Sequence, residues 1–76
     1  MVDLEEMAER LNSMAEDLTD AALDRLRRNA DVVRAGGVPD PDLSAEEKRI
    51  TRARRAVEKA ASLLGGATAS AFVEGP

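Results

Sequence analysis

The sequence predicts an all-α fold: a two-helix antiparallel hairpin, coiled-coil-like, with a long first helix and a shorter second one. Three observations carry that expectation. Apolar residues recur at close to the α-helical period of ~3.6 from Leu4 onward. Glycine pairs at 36–37 and 65–66 punctuate two such periodic runs. Ala, Leu, Glu and Arg dominate while Phe72 is the sole aromatic residue, a composition that suits helices and not sheets.

The first helix is expected over about residues 3–35. Its apolar positions run Leu4, Met7, Leu11, Met14, Leu18, Ala22, Leu26, Ala30 and Val33, with no Pro or Gly between Val2 and Ala35. Asp3 is the natural N-cap, and Glu6 three residues later makes a loose capping box. Gly36-Gly37 supplies the left-handed stop, and Pro39 and Pro41 are expected to block a restart.

A loop over 36–44 then ends at Ser44. Ser44 with Glu47 reads as a capping box for a second helix over about 45–64. Its apolar stripe is Ile50, Ala53, Val57, Ala60, Ala61 and Leu64, ended by Gly65-Gly66. Residues 1–66 thus form the hairpin, and 67–76 a tail that is either a short third helical turn around Ala69 to Val73 or disordered.

Length mismatch raises the functional question. At ~1.5 Å per residue the second helix should run out opposite Met14 or Ala15. Leu4, Met7, Leu11, Met14 and Leu18 share one narrow stripe, and most of it would then lack an intramolecular lid. Cover must come from the tail with Phe72 and Val73, or from another helix in a second copy or a larger protein. Leu23, Leu26, Ala30 and Val33 centre on a face turned by roughly 80° from the first, so the two segments can meet different neighbours.

Charge is distributed in blocks around a formal net of −4. Residues 3–24 carry eight carboxylates against one arginine, whereas residues 48–59 carry six cations against Glu58. Lys48, Arg52, Arg55 and Lys59 fall at i, i+4, i+7 and i+11 on one face, opposite Ile50, Val57 and Leu64, as a stripe ~17 Å long. Arg54 with Glu58 is the one i,i+4 pair of opposite charge in that run. The stripe is either a solvated exterior, a dock for an acidic helix, or a track for nucleic-acid phosphates. The acidic total and the lack of stacking aromatics weigh against nucleic acid.

Enzymatic chemistry is not expected, nor is a cofactor, a bound metal or a small-molecule substrate. With no His and no Cys the chain has neither the commonest general base nor a thiolate. Ser13, Thr19, Ser44 and Thr51 have no activating imidazole, and Glu16 with Asp20 lacks the histidine of helical carboxylate–metal sites. The one catalytic alternative is an Arg-lined interhelical pocket from Arg25, Arg28 and Asn29 with Arg52 or Glu58. No apolar run approaches the ~20 residues of a membrane span, and the acidic start is unlike a signal peptide, so a cytoplasmic location is expected. The expectation is a non-enzymatic interaction module acting through helix packing, as a homodimer or on a larger protein. Its predicted contact rows are Leu4, Met7, Leu11, Met14 and Leu18, and Lys48, Arg52, Arg55 and Lys59.

Overall fold

The computed structural model describes residues 2–65; the expected turn around Ala69 to Val73, Phe72 and the remainder of the tail lie outside them. The described residues form two helices, α1 (Leu4–Arg34) and α2 (Pro41–Gly65), packed as the predicted hairpin.

Asp3 caps α1: its Oδ1 accepts from the Glu5 amide at 3.0 Å and the Glu6 amide at 3.4 Å. Glu6 does not close the box. Its carboxylate turns to Arg10 one helical turn on, at 3.6 Å. At the other end the chain forms a Schellman stop. The Gly37 amide donates to the Val32 carbonyl and the Gly36 amide to the Val33 carbonyl, each at 2.9 Å. The two glycines serve different needs. Gly36 holds φ +92°, which a side chain resists, while a Cβ on Gly37 would stand 3.0 Å from Val32 Cγ1.

The second helix starts earlier than its sequence suggested. Asp40 is the cap, its Oδ1 accepting from the Asp42 amide at 2.9 Å, and Pro41 takes the first helical position. That position has no intrahelical use for an N–H, and the ring presets φ, so Pro41 begins the helix that it was expected to block. Ser44 lies inside α2, and its Oγ accepts from Asn29 Nδ2 at 3.0 Å. Glu47 likewise leaves the expected box and accepts from the Thr51 hydroxyl at 2.8 Å. The connection shrinks to residues 35–40.

Asn29 sets that connection. Its Oδ1 accepts from the Asp40 amide at 2.7 Å, and its Nδ2 reaches the Asp40 carbonyl at 3.3 Å as well as Ser44. One amide side chain thus ties α1 to the cap of α2. Four residues up the helix, Arg25 Nε meets Glu46 Oε1 at 3.1 Å. At the register of these two contacts, Leu64 stands beside about residue 8. The pairing therefore covers nearly all of α1, and the overhang contracts from about residues 3–14 to residues 2–7.

The seam on α1 runs Ala8, Leu11, Ala15, Leu18, Ala22, Arg25, Asn29 and Val32, in alternating steps of three and four. Facing it are Leu43, Glu47, Ile50, Arg54, Val57, Ala61 and Leu64 at the same spacing. Only Ala8, Ala15, Ala22 and Ala61 are buried among the described residues. Small residues at such a crossing permit close approach of the backbones. Every described Leu, Ile, Val and Met remains half-buried or exposed. Two helices form one layer, and a single layer has only one seam in which to bury apolar surface.

Candidate functional site

The predicted apolar row does not lie on one surface. Leu11 and Leu18 point toward α2 and are half-buried. Leu4 lies beyond the end of α2 and is 53% exposed. Met7 and Met14 each stand one residue before a seam alanine, which turns them about 100° off the seam; Met14 is 51% exposed although α2 runs past it. Azimuth, not overhang, leaves it uncovered.

The hairpin's two flanks can be assigned from its contacts. Arg25 reaches Glu46 across one flank, and Asn29 reaches Ser44 across the other. On the first, which we call the methionine flank, α1 presents Met7, Met14, Ala21 and Arg28, the residues preceding Ala8, Ala15, Ala22 and Asn29. On the same flank α2 presents Glu46, Ala53 and Ala60, which precede Glu47, Arg54 and Ala61. Ala56 and Leu63 widen this surface on α2, Leu63 being 63% exposed. Ala53, expected in the α2 seam, is exposed here, and Arg54 takes its place against α1.

The opposite flank carries Leu23, Leu26, Ala30 and Val33, all exposed, with Leu26 at 49%. Here α2 offers polar residues: Ser44, Lys48, Thr51 and Arg55.

Lys48, Arg52, Arg55 and Lys59 do form an outward row on α2, each exposed and none paired with another described residue. Glu58 lies within reach of two arginines by spacing. It is held by Arg54, through Nη1 at 3.0 and 3.1 Å, and not by Arg55. Within the hairpin the residues of the alternative arginine pocket have other partners. Arg25 is occupied by Asp24 and Glu46, Arg28 by Asp24, Asn29 by the α2 cap and Glu58 by Arg54, while Arg52 points outward from α2. Two of the hydroxyls have helical partners: Thr19 donates to the Ala15 carbonyl at 3.1 Å, and Thr51 to Glu47.

Sequence reasoning missed the alanine seam and the Asn29 clamp. Ala8, Ala15 and Ala22 recur every seven residues, a signal present in the letters but hidden when only bulky residues are followed. Among the described residues no helix is long and apolar enough to cross a membrane. No protein-family model matches the chain, and no curated protein or solved structure shows significant similarity to it.

Proposed function

We propose that the chain is a non-enzymatic interaction module that works by packing helix against helix. The observation that carries this reading is the absence of any buried large apolar side chain among the described residues, while exposed ones gather on two flanks. Scattered surface leucines need no explanation; ordered rows of them on an otherwise thin hairpin do. A single seam of four buried alanines is a small core for a domain, and cores of this size contribute no more than about 3–5 kcal/mol before a partner is added. Docking another helix layer on a flank supplies the missing burial.

Denaturant unfolding of the isolated chain at ~1 μM tests the reading. A hairpin that depends on packing partners has a shallow transition and a stability below about 3 kcal/mol when alone. A steep transition with more than about 5 kcal/mol would mean that the lone hairpin is self-sufficient, and the reading would fail.

A second reading is favoured by one feature, the outward row Lys48, Arg52, Arg55 and Lys59, which has no described carboxylate partner. Such a row can follow a phosphate backbone. Titration with duplex DNA at ~50 mM salt and again at ~200 mM separates the readings, because phosphate tracking by about four cations weakens affinity steeply across that range. Absence of binding at the lower salt removes nucleic acid.

A further inference from the structure

We propose that a second copy of the chain docks on the methionine flank, about a two-fold axis parallel to the helices, so that each α1 lies antiparallel along the α2 of its partner in a four-helix bundle. The proposal deepens the interaction reading and rests on it; what it adds is the face, the occupant and the geometry.

The symmetry operation itself supplies the register. A two-fold axis parallel to the helices leaves each residue at its own height and only exchanges left for right. Residues level with one another across a single hairpin therefore meet in the dimer. At the register of the Arg25–Glu46 and Asn29–Ser44 contacts, Arg28 is level with Glu46 of the partner subunit and Asp24 with the partner's Arg49. Ala21 is level with the partner's Ala53, and Met14 with the partner's Ala60. Opposite charges meet at the loop end of this flank, and a long side chain meets a small one nearer the open end. Asp24 and Arg49, which precede the seam residues Arg25 and Ile50, sit on the outer border of this flank, so an acidic α1 edge meets a basic α2 edge.

The competing arrangements are poorer. A two-fold axis perpendicular to the helices sets α1 antiparallel on α1, which lays the acidic edge carrying Asp17 and Asp24 along the same edge of the partner. Docking copies through the opposite flank about the parallel axis places Leu26 level with the partner's Lys48 and Leu23 with the partner's Thr51, apolar on polar. The methionine flank is also the side toward which Leu11, Leu18, Ile50 and Val57 lean from the seam, so its closure completes their burial. A footprint as long as α2, ~37 Å, and two helices wide covers about 700–800 Å² per chain in projection, close to the ~800 Å² of a stable interface.

Sedimentation equilibrium of the whole chain between about 1 and 500 μM tests the proposal. The expected mass is twice 8.1 kDa at the upper end. Met14→Glu should weaken self-association at least thirtyfold, because each dimer loses two anchors, whereas Leu26→Glu should leave it within about threefold. Helicity measured on the same samples shows that the hairpin is intact. Charge reversal at the outer border fixes the geometry without touching the core. Asp24→Lys or Arg49→Glu alone should weaken the dimer about tenfold, and the two together should restore it to within about threefold. A monomer throughout the range overturns the proposal, and so does a dimer sensitive to Leu26→Glu but not to Met14→Glu, or a double variant without rescue. A monomer of low stability leaves the interaction module standing without the dimer, and a monomer of high stability removes both.

Discussion

Asn29→Ala removes the clamp that sets the length of α2 and hence the register of the hairpin. The wild-type side chain makes one short bond, from the Asp40 amide at 2.7 Å, and two longer ones, to the Asp40 carbonyl at 3.3 Å and Ser44 Oγ at 3.0 Å. A net contribution of about 0.5–1.5 kcal/mol per bond applies, and the lower part of that range suits this half-exposed position. The three together amount to about 2 kcal/mol. For a small domain that corresponds to a fall in melting temperature of roughly 10 °C. Circular dichroism during urea unfolding, at one fixed protein concentration, reads it directly. Asn29→Asp keeps the acceptor for the Asp40 amide and loses both donors, so it should fall between the two. An Asn29→Ala variant within about 0.3 kcal/mol of wild type would show that the turn holds without the clamp, and the reasoning from it to the register would fail.

Other consequences follow from the same geometry. Gly36→Ala forces a side chain into φ +92° and should cost about 1–2 kcal/mol. Gly37→Ala should cost a comparable amount by crowding Val32, and both are checked by urea midpoint. Asp3→Ala removes an exposed cap and should cost about 0.5–1 kcal/mol, with faster amide exchange confined to the first turn of α1. Ala15→Leu overfills the most buried position of the α1 seam and should destabilise the hairpin by about 1–3 kcal/mol, measured by thermal melting.

The helix period and the glycine stop were legible because both are local. Leu4 through Val33 repeats without a breaker, and Gly36-Gly37 has few uses other than ending a helix. The start of α2 was ambiguous because two capping signals compete within five residues. Ser44-Ala45-Glu46-Glu47 matches a capping box, but Asp40-Pro41 offers an earlier cap, and nucleating there adds a helical turn that Leu43 can bury against α1. Leu43, Glu47 and Ile50 continue the seam spacing backward through the supposed loop, which is the signal that favours the earlier start. The contact row was half legible. Leu4 to Leu18 keep one period, yet the seam is set by Ala8, Ala15 and Ala22, whose small size matters more than their hydrophobicity. The row therefore straddles the seam's edge, with its leucines turned in and its methionines turned out. The Asn29 clamp and the Arg25–Glu46 pair depend on the register, which no local pattern fixes.

In the function proposed, this thin hairpin relies on a further layer of helix for part of its stability. The urea midpoint of the wild-type chain at two concentrations a hundredfold apart, ~1 and ~100 μM, measures that reliance most directly. The midpoint is expected to rise with concentration, by an amount corresponding to about 2.7 kcal/mol per dimer. One and the same midpoint at both concentrations, with more than about 5 kcal/mol of stability in the dilute sample, would contradict it.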